Sequence, residues 1–323
     1  MTAAAARVSP SALAGLDRLA SERGIELVAD APLAPLTTLR VGGPADRMAT
    51  PRDREGLLAV LRLARDADVP CFVLGNGSDL VVADAGIRGL VVRNRARAAT
   101  IDGETLTAEA GAPMAMLVKR CTADGLAGLE FGISIPGTLG GATWANAGAH
   151  GGEMRDTLLT ADAWDPATDE VAALTNPDCA FAYRESRFKH SVEVVLAASL
   201  QLGRDDPTAI AERVAAHQAQ RQATQPLADQ NAGSVFRNPE GDHAGRLIDA
   251  AGLKGRRLGS ASVSRLHANF IVTERGGRAA DVRALGDLVR AEVRDRFGVE
   301  LQYEIEFVGA WDDGAKPSGE APA

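Results

Sequence analysis

Two glycine-rich segments hold the residues whose types and spacing are best suited to chemistry. The first is Leu74-Gly75-Asn76-Gly77-Ser78-Asp79-Leu80. The second is Ile135-Pro136-Gly137-Thr138-Leu139-Gly140-Gly141-Ala142, continuing to Asn146-Ala147-Gly148. Glycine permits positive φ and close backbone approach, so successive amides can converge on an anion such as a pyrophosphate. Two such loops close in space could hold both phosphates of a dinucleotide without an arginine. Taken alone, the first segment also reads as a tight turn. Neither is a GxGxxG set between strand and helix, and no GxxxxGK[ST] occurs, which disfavours a Rossmann site and a P-loop. The three cysteines and five histidines form no CxxC, no HExxH and no His pair at i, i+4. No metal is expected, because the ligand spacings are missing.

The elements that must present these loops follow from periodicity and punctuation. Leu13, Leu16 and Leu19 recur at helical spacing. Leu57, Leu58, Leu61 and Ala64 predict a helix over Asp53 to Asp68, ended by Pro70. Cys71-Phe72-Val73-Leu74 and Leu80-Val81-Val82 are compact apolar runs, so the first glycine loop joins strand to strand. Further strands are expected near 90–93, 105–109, 157–165, 192–202, 235–236 and 269–273. A helix starts at Pro113, with Met114 and Met116 read as core residues, and others at Asp206-Pro207, over 245–251 and over 278–297. Residues 299–308 alternate: Val299, Leu301, Tyr303, Ile305 and Phe307 face one way, and Glu300, Gln302, Glu304 and Glu306 the other. One continuous strand is expected there. Helices and strands mix without a fixed repeat and the texture changes near Asp205, which predicts an α+β protein of more than one domain.

Composition bounds the partners. With 323 residues, 46% of them apolar, the chain suits two or three compact domains. A net charge of −8 and only 4% aromatic residues argue against nucleic-acid and anionic-membrane partners. No run approaches the roughly 18 apolar residues of a membrane span. The amino terminus lacks the pattern of a signal peptide, and the odd, scattered cysteines fit a reducing cytoplasm. Residues 311–323 read as a disordered tail. Nothing demands an oligomer, and a monomer is expected.

The glycine segments belong to a longer ordered set. Thr38-Leu39-Arg40-Val41-Gly42-Gly43-Pro44-Ala45 precedes them, and Tyr183-Arg184-Glu185-Ser186-Arg187-Phe188-Lys189 follows. Then come Gly233-Ser234-Val235-Phe236-Arg237-Asn238-Pro239, Gly245-Arg246-Leu247-Ile248, Gly252-Leu253-Lys254-Gly255 and His267-Ala268-Asn269-Phe270-Ile271-Val272. In this order, over residues 35–309, the chain resembles the UDP-N-acetylenolpyruvoylglucosamine reductase family, in the branch without an extra substrate-capping loop. The resemblance implies a vanillyl-alcohol-oxidase-like (PCMH-type) FAD-binding fold of two subdomains, 1–92 and 93–205. A C-terminal α+β substrate-binding domain, 206–310, completes it. Two positions depart from the family pattern. Asp79 stands where asparagine is usual, and Ser134 where glycine is common.

The resemblance also implies roles. The reaction would reduce an enolpyruvyl ether on a UDP-linked amino sugar to a lactyl ether, with FAD as cofactor and NADPH as co-substrate. Cofactor contacts would come from Arg40, Gly75, Asn76, Gly77, Ser78, Asp79, Leu80, Ile135, Pro136, Gly137, Gly140, Gly141, Ala142, Asn146, Ala147 and Gly148. Ser234 would donate a proton, Arg184 would engage the substrate carboxylate and Glu304 would stand near the reacting carbons. Tyr183, Arg237, Asn238, His267 and Asn269 would line the substrate pocket. Read without the family, each has an ordinary use. Ser234 could cap a turn, Arg184 could be a surface arginine, Glu304 could lie on a solvated strand face, and His267 could be a locally bonded structural histidine. Alternation alone does not choose between Glu304 and Glu306; alignment on Leu301 and Phe307-Val308-Gly309 selects Glu304. Other readings are an FAD oxidase of the same superfamily acting on an alcohol or sugar, and a non-catalytic module that senses cell-wall nucleotides.

Overall fold

The computed structural model describes residues 8–311, so the expectation of a disordered tail falls, beyond Trp311, outside the described residues. The first unit is a four-stranded sheet in the order Val28–Pro32, Pro44–Ala49, Ile87–Arg93, Cys71–Leu74. Its first pair is antiparallel and the other two are parallel. Two helices cover it, α1 (Pro10–Glu22) and α2 (Arg54–Asp66). Asp53 starts α2 by accepting a hydrogen bond from the Gly56 amide at 2.7 Å. Leu57, Val60, Leu61 and Ala64 of α2 are buried together with Leu16 and Ala20 of α1. Trp164, Val194 and Leu196 of the next unit close the same core, so the first two units share one apolar interior.

The second unit is a five-stranded antiparallel sheet in the order Glu170–Thr175, Leu158–Asp165, Val194–Gln201, Thr105–Glu109, Ala99–Asp102. Two helices join its core, α3 (Met114–Ala123) and α4 (Leu139–Ala145). Pro113 sits one residue earlier than expected, as the cap of α3 rather than its first residue. Met114 is buried, whereas Met116 lies on the outer face of α3 and is 36% exposed. Residues 206–224 were expected to open the third unit. They form α5 (Pro207–Thr224), which packs back on the second: Val214 meets the core around Leu129 and Phe131, and Arg213 pairs with Glu130 at 2.8 Å.

The third unit has a sheet of short strands, Gln230–Asn231, Ile271–Thr273, Ala261–Val263 and Arg257–Leu258, with α6 (Ala244–Ala250) and α7 (Ala279–Phe297) against it. Val282, Leu285, Val289 and Val293 of α7 form the buried stripe, and Gly298, at φ +69°, ends the helix. The single strand expected over 299–308 is divided. Tyr303 bridges antiparallel to Phe236, and only Glu306–Val308 forms a strand, parallel to Leu80–Val82 of the first unit. Leu301 and Ile305 stay buried, so the alternation is preserved while the pairing partner changes. The pattern reports which face is apolar and is blind to which neighbour supplies hydrogen bonds.

That returning segment closes the molecule. Leu39, Val41 and Val81 of the first unit lie in the core of the third, and the Thr273 hydroxyl donates to Leu39 O at 2.9 Å. Gly309 ends the segment at φ +98°, and a Cβ placed there would lie 2.4 Å from Gly86 O. Gly309→Ala should therefore destabilise the protein by about 2–4 kcal/mol, combining a left-handed backbone with a clash against main chain. Urea denaturation of the variant beside the parent protein measures it.

Candidate active site

The two glycine segments meet. Asn76 Nδ2 donates to Pro136 O at 2.9 Å, and a Cβ on Gly75 would come within 2.7 Å of Thr138 Oγ1. Gly77 has φ +59° and its missing Cβ is replaced by Leu36 O, only 2.7 Å from that position. Thr38 stitches the loop down through its amide, 2.9 Å from Gly77 O. Among the described residues, the amides of Gly75, Asn76, Gly77, Ser78, Gly137 and Thr138 donate no hydrogen bond to the protein. Uncommitted amides on two touching, side-chain-poor loops suit a pyrophosphate. The donors and the narrow approach therefore fit FAD.

Not every residue expected at this cradle presents itself in the same way. The amides of Ile135, Gly140, Ala142 and Ala147 are committed to Gly132 O, Ala110 O, Thr138 O and Ala142 O. Gly140 also packs against Ala110, whose Cβ would be 2.7 Å from a Cβ at 140. Asn146 is fully buried and its carboxamide bonds only to protein. Arg40, at φ +60°, is exposed and its guanidinium folds back to Pro35 O at 2.5 Å, beside the first loop. The Asn146 side chain thus faces protein and offers the cradle no donor; the free donors lie at 75–78 and 137–138.

The three residues expected to do chemistry converge from three segments. Ala182 and Glu185 exchange backbone hydrogen bonds of 3.1 Å, making Tyr183-Arg184 the tip of a tight turn with Arg184 at φ +56°. A left-handed arginine is a strained residue, of the kind that gathers at functional sites. Its Nε donates to Glu304 Oε1 at 2.9 Å and its Nη2 to Gly148 O at 2.7 Å. The exposed Tyr183 ring stacks 5.0 Å from the guanidinium carbon. Glu304 in turn donates its amide to Val235 O at 2.8 Å, which sets Ser234 beside it. Ser234 lines a cavity of about 330 Å³ with Asn238, Lys254, His267 and Asn269, and its hydroxyl has no protein partner among the described residues. Asn269 holds this segment: it accepts from the Phe236 amide at 3.0 Å and donates to Phe236 O at 2.8 Å.

The remaining expected pocket residues are partly engaged. Asn238 Oδ1 accepts from the Ala244 amide at 3.1 Å, which fixes the start of α6. Arg237 pairs with Glu185 at 2.6 Å, while its buried Nε has no partner. His267 Nδ1 accepts from the Asn269 amide at 3.2 Å. Burial, helped by Lys254, lowers the His267 pKa, so the ring is neutral and keeps its Nε2 hydrogen for the cavity.

Sequence reasoning passed over Lys189. Its side chain is only 8% exposed, lies 4.3 Å over the Trp144 ring and reaches Glu306 Oε1 at 3.1 Å. The Glu306 amide donates to Asp79 O at 2.8 Å, so Asp79, Glu306 and Glu304 share one seam. Burial, with Glu306 and then Glu304 adding to it and Lys189 opposing, pushes the Asp79 carboxyl up to about 6. Ser134, the other departure, bonds His150 Nε2 at 2.8 Å, and His150 stacks on His217 of α5 at 4.0 Å. The only signal for Lys189 was a cation within a short basic run; nothing local marks it as buried.

Comparison with known proteins agrees with the geometry. The family model described as the UDP-N-acetylenolpyruvoylglucosamine reductase C-terminal domain matches residues 225–308, and an FAD binding domain matches residues 45–174. A UDP-N-acetylenolpyruvoylglucosamine reductase from Anaeromyxobacter sp. (strain K) is 42% identical over 299 residues, covering 92% of this chain and 90% of its own. One from Symbiobacterium thermophilum is 44% identical over 281 residues, covering 86% and 91%. The crystal structure of the reductase from Thermus caldophilus superposes with a TM-score of 0.74 at 34% identity, over 88% of this chain and 98% of that one.

The Asp79 carboxyl yields a pH prediction. Its folded pKa lies above its unfolded one, so the favourable protonated state is fully present below about 4 and is lost as pH rises through about 6. Asp79→Asn should match the parent in stability near pH 4 and exceed it progressively up to pH 7, then level off. Thermal unfolding at a series of pH values tests this; a constant difference across the series contradicts it.

Proposed function

The chain belongs to the UDP-N-acetylenolpyruvoylglucosamine reductase family, and from that premise we propose that Arg184, Ser234 and Glu304 are its catalytic residues. The protein is an FAD-dependent oxidoreductase that uses NADPH to convert enolpyruvyl-UDP-N-acetylglucosamine to UDP-N-acetylmuramate, a precursor of peptidoglycan. FAD bound here would supply the redox chemistry that lets NADPH reduce the enolpyruvyl group. The amides of 75–78 and 137–138 would hold its pyrophosphate, which their freedom from protein partners supports.

Hydride arrival at C3 leaves negative charge at C2 that spreads into the adjacent carboxylate. Arg184 meets that carboxylate. With Nε on Glu304 and Nη2 on Gly148 O, the guanidinium is already oriented, and Nη1 has no protein partner among the described residues. A fixed cation whose pairing strengthens as an enolate forms favours the transition state over bound substrate. Ser234 gives its proton to C2 from the cavity wall, and Glu304, on the neighbouring chain segment, stands near the reacting carbons while it keeps the guanidinium in register. The observation that carries this reading is the convergence of Arg184, Glu304 and Ser234 through the Arg184–Glu304 ion pair and the Glu304–Val235 backbone bond.

His267 lines the nucleotide-sugar pocket with its remaining ring hydrogen free, while Arg237, paired with Glu185, and the exposed Tyr183 flank the Arg184 turn. Asn238 and Asn269 serve that pocket by fixing α6 and the Ser234 segment. Residues 1–92 and 93–205 act as the cofactor subdomains and 206–310 as the substrate domain, with α5 as the arm lying back on the second. Among the described residues no helix is long and apolar enough to cross a membrane. We place the enzyme in the cytoplasm, on the support of its polar UDP-linked substrate and its free, buried cysteines.

The absorption spectrum tests the whole assignment: a flavin band should bleach with NADPH and return when the enolpyruvyl nucleotide is added. Ser234→Ala should leave bleaching nearly intact and slow the return by more than about a hundred-fold, the usual scale for a lost general acid. Equal slowing of both phases refutes the role given to Ser234. Arg184→Lys should also slow the return, because one ammonium does not reproduce the planar fork.

A further inference from the structure

Asn146 ends α4 in a left-handed conformation, φ +43° and ψ +53°, and is fully buried. Its side chain makes three hydrogen bonds. Nδ2 donates to Ala182 O and to Glu153 Oε2, both at 2.9 Å, and Oδ1 accepts from the Arg155 amide at 3.0 Å. Both donors are therefore committed, and the carboxamide is fastened to three places in the protein.

One of those places is the base of the turn that carries Arg184. Ala182 pairs with Glu185 across Tyr183-Arg184, and Arg184 is held at φ +56°. Two residues beyond Asn146, Gly148 O receives the guanidinium Nη2 at 2.7 Å. The same short stretch of chain thus grips the arginine at its backbone and at its head. A second tie, Ser186 Oγ to Trp144 O at 2.6 Å, fixes the far side of the turn to the last turn of α4. A strained conformation persists only where its surroundings hold it.

We propose that Asn146 is a positioning residue for Arg184, acting through Ala182 and not through the cofactor. This rests on the reading of Arg184 as the cation that meets the substrate carboxylate. Loss of the carboxamide frees the turn to relax, which withdraws the guanidinium from Gly148 O and from Glu304.

Asn146→Gly keeps the left-handed backbone and removes only the side chain. In the FAD-loaded enzyme it should retain full FAD content and bleach with NADPH at close to the parent rate. Its return phase with the enolpyruvyl nucleotide should slow ten-fold or more. Combined with Arg184→Ala, it should be no slower than Arg184→Ala alone, since both act through one group. Asn146→Asp, of the same shape but without the donors, should show the same selective loss and covers the case in which the glycine variant does not fold. A parent-like return phase in either variant, or slowing that adds to that of Arg184→Ala, overturns the proposal. Loss of FAD in both variants assigns Asn146 to the cofactor cradle and overturns it as well. Arg184→Ala alone tests the underlying reading: if its return phase is intact, that reading fails, whatever Asn146→Gly does.

Discussion

A single guanidinium joins the second unit of this molecule to the segment returning from the third, at the place where the chemistry is done. Arg184 belongs to the second unit and Glu304 to the segment returning from the third, 120 residues later. Their side chains are 20% and 24% exposed, so the pair has lost much of its water. Desolvation offsets most of the Coulombic gain in such a setting, and the pair is a poor source of net stability. Its consequence is positional. With Nε and Nη2 both anchored, the plane of the guanidinium is set before any substrate arrives, and the ordering is done in folding instead of in catalysis.

The seam that holds this pair is crowded with carboxylates. Asp79, Glu304 and Glu306 are met by Arg184 and Lys189, and the lysine is nearly buried against Trp144. A site for an anionic substrate beside three acids in a chain of net charge −8 gains nothing from bulk attraction. Recognition must come at short range, from amides and from the cations set at the site. Burial first, and then its acidic neighbours, raise the Asp79 carboxyl to about 6. Where the family usually has a neutral carboxamide, this chain carries a group whose charge depends on pH.

What the sequence made legible was the apolar framework and the order of motifs. The strand–loop–strand character of Gly75–Ser78, the helix over 54–66 and the helix over 279–297 all follow from periodicity, because burial is a property each segment carries by itself. The site trio was legible only through resemblance, since Ser234, Arg184 and Glu304 each suit an ordinary surface or turn role. Partner choice was not legible. Residues 299–308 alternate as one strand yet pair first with Phe236 and then with Leu80–Val82, and α5 packs on the unit before it. Long-range pairing depends on what is available across the fold, and no local pattern encodes it.

Three residues expected to touch ligands turn out to fasten the chain instead, and they share a chemistry. Asn146 holds the Arg184 turn, Asn269 holds the backbone next to Ser234, and Asn238 holds the start of α6 beside the same cavity. A catalytic site assembled from loops needs fasteners that satisfy buried main-chain donors and acceptors together. A carboxamide offers both without adding charge. In a seam already holding three acids and two cations, an aspartate or lysine in that role would shift the field at the reacting carbons. Neutral fasteners let the loops be rigid while the charge at the site remains that of the groups facing the ligand.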